Sequence, residues 1–440
     1  MNRLPIMLNN RKPLAFPATM AAAFVLLAGG ANALANTVWC VPKASLNPSC
    51  TTSTTQPSIG AAVGLAASGD VIVVGPGTYP ESVTISTPYL SLLGAQAGKD
   101  ARLDRYDRMR ESIVDATGTT NGTAFDVEAS NVIIDGFTIQ GATAGNSGSG
   151  IYVGSYSSTQ ILNNIIQNNA AGIYLYYGYY DLIEHNVFKA NNKGATGSWD
   201  EYFSGLSGIG IAGEPYYGDA IIENEFIGNL ATAMALYQGY GDAITKNTSN
   251  NDGSFVIFYE CGDTHFSHNQ GQNFGARGVL PISSGPTYAD AAIEITFHSY
   301  SLQINDNDLG EGRTPDFSGI SFAPLFEEYA CYYCQVSKNR IKGFPGNGIV
   351  GEGSTSTGVV EYSGFSGNKV EDNRNDGIVI ENAPYSNNTL LDNEAEGNSV
   401  FDCADNTAGS WTAGTANTWF NNFGNSSSPT GLCTARARQH

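Results

Sequence analysis

With 440 residues, 52 glycines, 23 tyrosines and 20 phenylalanines but only 14% charged residues, the chain is composed for short strands and many turns, not for a helical protein rich in Glu, Lys, Leu and Ala. A formal charge of −20 at pH 7 excludes nucleic acid as a partner, because displacing phosphate counterions requires a basic face. The same excess repels an anionic polysaccharide unless Ca²⁺ or local Arg and Lys intervene, and it leaves a neutral glycan unopposed.

In chain order, residues 1–35 read as a secretory signal peptide: Arg3, Arg11 and Lys12 precede an apolar run from Ala21 to Leu27, and Ala33-Leu34-Ala35 precedes the cut. Removing three basic and no acidic residues takes the charge from −20 to −23. The apolar run falls well short of the ~20 residues of a spanning helix, and no later stretch is long and apolar enough, so no membrane span is expected. The expected location is outside the cytoplasm, whether extracellular, periplasmic or on the cell surface, and disulfides are then open to the seven cysteines. Residues 36–57 hold Cys40 and Cys50, and residues 401–440 hold Cys403 and Cys433. Each pair closes a short loop in a terminal segment with a neighbour on one side only, so both are expected to be bridged. Cys261, Cys331 and Cys334 are left, with one thiol free or paired between chains. The CYYC run at 331–334 has no second CxxC and no His at finger spacing, so no metal site is expected.

Residues 58–67 (SIGAAVGLAA) predict a short amphipathic helix closing the N-terminal end, and GDVIVVGPGTYPESVTI (69–85) begins a repeating region that runs to residue 400. Its unit is a four-residue strand with small or apolar residues around one outward position, as in GIYV (150–153), GIYL (172–175), GIGI (208–211), AMAL (233–236), FVIF (255–258), AIEI (292–295), ISFA (320–323) and GIVI (377–380). A second strand follows each and ends in an apolar residue, two others and Asn, giving Asn164, Asn186, Asn224, Asn247, Asn269, Asn307, Asn339, Asn368 and Asn393. Successive units lie roughly 22 to 37 residues apart, which fits the coils of a β-solenoid better than fixed-length blades or horseshoe repeats. Three short strands and three turns close one circuit in about 22 residues. The recurring Asn suits a tight corner, where its amide bonds the backbone and the Asn one coil away and the residue tolerates a left-handed backbone. The expected fold is all-β, a right-handed parallel β-helix over 58–400 with a short N-terminal capping helix and an irregular C-terminal cap over 401–440.

The opening Gly69, Asp70, Ile72, Val74, Pro76, Gly77, Tyr79 and Glu81, together with the Asn-marked coils, resembles the pectin-lyase-like right-handed β-helix proteins, in particular secreted bacterial members with generic repeats, over residues 55–400. The resemblance implies that the GIYL-type strand is the first sheet of each coil and that glycans lie along it, between the turns before and after. Its outward positions are then Tyr152, Tyr174, Gly210, Ala235, Ile257, Glu294, Ser321 and Val379. The turn that follows is rich in tyrosine, and the turn before carries long insertions at 193–208, 274–291 and 311–319. These would be the two walls of a cleft. Arg340-Ile341-Lys342 matches the RIK element of polygalacturonases, but their NTD, DD and GHG elements are absent. Also absent are the DPHD of alginate epimerases, the paired arginines of pectate lyases and the RTX nonapeptide, so no specific enzyme family is matched.

Between those walls, Glu260 and Glu294 sit on consecutive coils, one or two strand spacings of ~4.8 Å apart, a range that brackets the carboxyl separation of retaining glycosidases and approaches that of inverting ones. His298 is a further acid/base candidate, and Arg277 or Arg313 would neutralise a substrate carboxylate. Tyr152, Tyr174, Tyr176, Tyr237 and Tyr259, with Trp199 and Asp200 from an insertion, are the candidate substrate platforms. The competing reading is that the charges are solvated turn residues and the tyrosines a ladder that stiffens a corner. Two functions follow: a secreted enzyme that cleaves or modifies a polysaccharide, lyase or glycosidase, or a non-catalytic glycan-binding, adhesin or structural surface protein. Base rates within the fold favour the enzyme slightly. Neither requires a cofactor, and Ca²⁺ is the one ion in question.

Overall fold

The structure, a computed structural model, describes residues 36–41, 51, 53–103, 105, 110–120, 122–143, 148–191, 209–213, 216–275, 291–323, 329–353, 360–381 and 387–436. Strands of two to six residues wind through three parallel sheets of 13, 14 and 12 strands among the described residues. One coil shows the plan: Ala171–Leu175 lies in the first sheet, Leu182–Glu184 in the second and Val187–Lys189 in the third. Each of these strands pairs in parallel with its counterpart on a neighbouring coil. A chain of L-residues makes such crossovers right-handed, and the fold is a right-handed parallel β-helix.

The strands are short because each need contribute only one or two inward side chains. In Gln160–Leu162, Leu182–Glu184 and Ala220–Ile222 the central residue alone is buried, and register stacks Ile161 on Ile183 on Ile221. Burying each such side chain contributes about 1.5–3 kcal/mol. The third sheet stacks Phe188 on Phe226 with ring centroids 4.7 Å apart, then narrows to Ser249 and Gly271. There Phe274 fills the gap, since a Cβ on Gly271 would lie 2.3 Å from its ring.

The turn between second and third sheets carries the asparagine ladder. The backbone N–H of Asn164 donates to Asn186 Oδ1 at 2.8 Å, Asn186 to Asn224 at 3.0 Å and Asn224 to Asn247 at 2.9 Å. The pattern runs on through Asn393 to Asn422. The expected left-handed backbone belongs to the residue before each ladder Asn: Asn163, His185, Glu223, Lys246 and His268 all have φ between 53° and 59°. The Asn itself turns inward to reach the stack.

The N-terminal helix, Ile59–Val63, is shorter than residues 58–67. Ser58 Oγ accepts from Ala61 N at 3.1 Å, and the Glu81 carboxylate accepts from the N–H groups of Ile59 and Gly60, each at 2.9 Å. That is a structural reason for the Glu at the end of the opening motif. Strand pairing extends beyond 58–400 at both ends. Val38–Val41 pairs with Val71–Val74, while Cys403–Asp405, Thr418–Phe420 and Ser427–Ser428 add to the first and second sheets. The terminal segments thus satisfy strand edges that would otherwise stay open, and irregular backbone with a 3₁₀ turn at Thr412–Gly414 lies between those C-terminal strands.

Cys40 is disulfide-bonded, and its expected partner Cys50 lies outside the described residues. Cys403 and Cys433 meet as expected, but as buried, hydrogen-bonded thiols and not as a bridge. Cys331 and Cys334, left unassigned by the sequence, form a disulfide inside the coil. Cys261 is a buried free thiol, pushed up to about 12 by burial. No helix among the described residues is long and apolar enough to cross a membrane.

Candidate functional site

Register defines the outward row of the first sheet: Tyr152, Tyr174, Ala212, Ala235, Ile257, Glu294, Ser321, Val350 and Val379. Two corrections to the expected row follow. Ala212, and not Gly210, stands between Tyr174 and Ala235. An additional coil, Ile349–Gly351, lies between 320–323 and 377–380; its inward Gly351 lacks the large apolar side chain used to recognise such strands.

The row is also more covered than expected. Tyr174 is 5% exposed and packs with Ala235, Tyr152 and Tyr176, so it supports neighbouring rings and is not itself an open platform. Tyr152 and Tyr176 are half-buried, with centroids 5.5 and 6.1 Å from that of Tyr174. Farther along, the half-buried Tyr237 and Tyr259 lie 4.8 Å apart, and Tyr259 stacks on Phe297 at 5.0 Å.

The open aromatic surface lies one step further into the turn. Tyr179, Tyr217, Tyr240 and Tyr300 form a column along the axis, with successive centroids 5.4, 5.4 and 5.9 Å apart. Tyr179, Tyr217 and Tyr300 are 39, 42 and 39% exposed, too wet for a core ladder and too well stacked for free side chains. The coil between Tyr240 and Tyr300 contributes Gly262, and the Tyr300 ring occupies its place: a Cβ there would lie 2.4 Å from Tyr300 Cζ. Gly262→Ala is therefore expected to displace Tyr300, cost about 1–3 kcal/mol and weaken the near-ultraviolet circular dichroism of the tyrosines; an unchanged spectrum and melting temperature would contradict this. Burial, aided by the neighbouring Tyr300 and Glu260, pushes the Tyr240 hydroxyl up to about 12, so it remains a neutral donor at working pH.

The ionisable candidates do not all converge. Ile257 is the register partner of Glu294, whereas Glu260 N donates to Phe297 O, so Glu260 sits opposite a residue three positions beyond Glu294. That offset is roughly 10 Å along the strand direction, more than the expected one or two coil spacings allow. Glu260 has a left-handed backbone (φ 56°) and accepts from Gln238 Nε2 at 2.7 Å. His298 lies within an aromatic series, its ring 4.4 Å from Phe297 and 4.7 Å from Tyr329. Arg313 is exposed at the corner of the insertions, across the first sheet from the tyrosine turn, and is hydrogen-bonded to Asn251 Oδ1. Arg277, Trp199 and Asp200 lie outside the described residues.

A different carboxylate stands near Glu294. Ser321, its register partner on the next coil, donates to Glu352 Oε1 at 2.7 Å, and Glu352 follows the strand Ile349–Gly351 one coil further on. Glu294 and Glu352 thus lie on either side of Ser321, two coils or about 9–10 Å apart along the axis and, because the row position on that coil is Val350, two residues or about 7 Å apart along the strand before side-chain reach. Glu294 is 5% exposed and Glu352 half-buried. Sequence reasoning passed over Glu352 together with its coil; the available signal was a Glu directly after an apolar strand. No cluster of three or more His, Cys, Asp or Glu side chains among the described residues could hold a metal ion.

The sequence matches the family described as "right handed beta helix region" over residues 110–198 and 129–309. Among solved structures, it is similar to the catalytic unit of the thermostable GH87 α-1,3-glucanase of Streptomyces thermodiastaticus strain HF3-3, at 15% identity and a TM-score of 0.54. That match covers 87% of this chain and 65% of the glucanase, so the chain spans less than two thirds of that protein's catalytic unit. The alginate lyase of Paenibacillus sp. str. FPU-7 matches at 10% identity and a TM-score of 0.44, over 70% of this chain and 91% of its own. The GH136 lacto-N-biosidase of Eubacterium ramulus matches at 9% identity and a TM-score of 0.46, over 91% of this chain and 68% of its own. At these identities the likeness is one of fold. No curated protein matches the sequence.

Proposed function

We propose that this chain, a right-handed parallel β-helix protein of the pectin-lyase-like superfamily, is a secreted protein that holds a polysaccharide along its tyrosine turn and hydrolyses it by acid/base chemistry at Glu294. The observation that carries this reading is the column Tyr179, Tyr217, Tyr240 and Tyr300, stacked coil on coil yet about two-fifths exposed at three of its four members. A repeat of ~4.8 Å per coil is close to the length of one sugar unit, so the outward ring edges and hydroxyls of the stack run past successive sugars. The charge of −20 favours a neutral glycan, and the glucanase that shares the fold makes neutral glucans the first probes.

Glu294 is the general acid of this scheme and Glu352, oriented by Ser321, the second carboxylate. One protonates the glycosidic oxygen as the other activates the attacking water. Hydrolysis is favoured over elimination, because a lyase acts on a uronate-bearing glycan and the charge of −20 opposes an anionic chain. No cofactor enters the scheme, and Ca²⁺ is relevant only if an acidic glycan proves to bind.

A non-catalytic glycan-binding or adhesin role is the second reading, favoured by the engagement of Glu260 with Gln238 and of His298 with Phe297 and Tyr329. Affinity electrophoresis over a glycan panel, with reducing-end release measured in parallel, separates the two. Retention with product release is expected; retention without it supports the binder, and no retention overturns both. Tyr217→Ala combined with Tyr240→Ala is expected to weaken retention about tenfold, the loss of two aromatic contacts; equal retention would remove the column from the site.

A further inference from the structure

The last residue of each tyrosine turn, where the chain enters the second sheet, forms a buried column of its own. Main-chain bonding from coil to coil aligns Thr159, Asp181, Asp219, Asp242 and Thr264, and the same column continues to Ser363, Asn388 and Asn417. In its last coils it is built of amides. Asn388 N donates to Asn417 Oδ1 at 3.0 Å, while Asn388 Nδ2 donates to the same oxygen at 3.0 Å and to Val360 O at 2.8 Å.

The aspartates reproduce the first half of that pattern. Thr159 N donates to Asp181 Oδ1 at 2.7 Å, Asp181 N to Asp219 Oδ1 at 2.8 Å and Asp219 N to Asp242 Oδ1 at 3.0 Å. The second half lacks its donor. Asp181 Oδ2 and Asp219 Oδ2, the atoms that replace the amide nitrogen, are buried without a hydrogen-bond partner, in side chains 1% exposed. Asp242 differs, because its Oδ2 accepts from Thr264 Oγ1 at 3.3 Å. A carboxylate oxygen left unpaired in the interior is costly, whereas a carboxylic acid carries an O–H where the amide carries an N–H.

The surroundings favour the acid form. Burial pushes Asp181 and Asp242 up to about 7, and burial followed by repulsion from both neighbours pushes Asp219 well above the aspartate range. Cys261, beside Asp242, is itself pushed up by burial, as is Tyr240. Glu260 and Asp263, the acids of the next turn, add negative charge near Cys261 and Tyr300. None of the ion pairs among the described residues involves the three aspartates.

We propose that Asp181 and Asp219 are held as neutral carboxylic acids that complete this ladder with their own protons, and that they position the tyrosine column, which loosens as they ionise. Tyr179, Tyr217 and Tyr240 each precede a ladder aspartate by two residues, so the ladder anchors the turn that presents them. The folded acids hold their protons more tightly than unfolded aspartates. Their contribution to stability is complete below the ordinary aspartate range, about 3.9, and is lost as the pH rises through about 7. Only the consequence for glycan binding rests on the function proposed above.

The test uses the full chain and no glycan. Thermal unfolding and near-ultraviolet circular dichroism are followed from about pH 5 to about pH 8 for the wild type and for Asp181→Asn combined with Asp219→Asn, which places at both sites the amide already used at Asn388. The wild type is expected to lose melting temperature and tyrosine signal across this interval. The variant is expected to show a flatter profile and to melt about 3 °C or more above the wild type at the alkaline end. Equal pH slopes, or a variant that melts lower at about pH 8, would overturn the proposal. Infrared spectroscopy of the wild type keeps the question answerable if the variant does not fold: a carboxylic-acid C=O stretch persisting at about pH 6 is expected, and its absence overturns the assignment.

Discussion

Glu294→Gln is expected to lower the turnover of a cleaved glycan by about 10²- to 10⁴-fold, the usual contribution of a positioned acid or base, while leaving retention on an affinity gel unchanged. The side chain stands on the outward row of the first sheet between Ile257 and Ser321, only 5% exposed, where a carboxyl group can exchange a proton with little competition from water. Glutamine keeps the volume and removes the proton. The tyrosine column belongs to the neighbouring turn, so binding survives and the loss appears in kcat. Glu260→Gln provides the contrast, with little effect expected because Glu260 lies opposite Phe297 and is held by Gln238. Reducing-end assays with both variants decide the matter: full activity in Glu294→Gln removes the assignment, and a large loss in Glu260→Gln reverses the ranking.

Asn224→Ala is expected to destabilise the protein by about 3–5 kcal/mol, far more than a surface substitution. Asn224 Oδ1 accepts from Asn186 N and Asn186 Nδ2, each at 3.0 Å. Its Nδ2 donates to Ile183 O at 2.8 Å, Ile222 O at 3.1 Å and Asn247 Oδ1 at 3.1 Å. Alanine strands Asn186 N in a column that is fully buried and takes one partner each from Asn186 Nδ2 and three acceptors, although Asn186 Nδ2 keeps Ile161 O and Glu184 O and Asn247 Oδ1 keeps the main-chain N–H of residue 224. An unsatisfied buried group costs about 1–3 kcal/mol, to which the weakened bonds add. Chemical denaturation gives the measure; a loss below about 1 kcal/mol would mean that the corner repairs itself.

The two residues illustrate what could be read in advance. Asn224 was legible because its role repeats: an apolar residue, two others and Asn recur from coil to coil, and a periodic polar residue in a buried corner has few tasks besides hydrogen-bonding its copies. Glu294 was legible as an outward residue of a recurring strand. Its partner was not. Glu260 directly follows its strand, yet a left-handed backbone carries it out of the row, and a coil marked by the small Gly351 brings Glu352, just past the row position Val350, within reach of Ser321. The Gly210 and Ala212 exchange has the same origin, because a slip of two residues preserves the alternation of inward and outward side chains and leaves no trace in composition.

The amino-acid sequence by itself determined the repeat, the asparagine corner, the aromatic character of the opposite turn and the acidic charge, since each is a property of residue types at recurring intervals. Tertiary structure alone decided the register between coils, and with it which tyrosines stay open, which carboxylates become neighbours and which aspartates lose their solvent. Coil lengths vary, so residues far apart in sequence stack at a spacing set by the backbone hydrogen bonds of the sheets. Burial and pairing at that spacing are properties of the stacked coils and of no single segment.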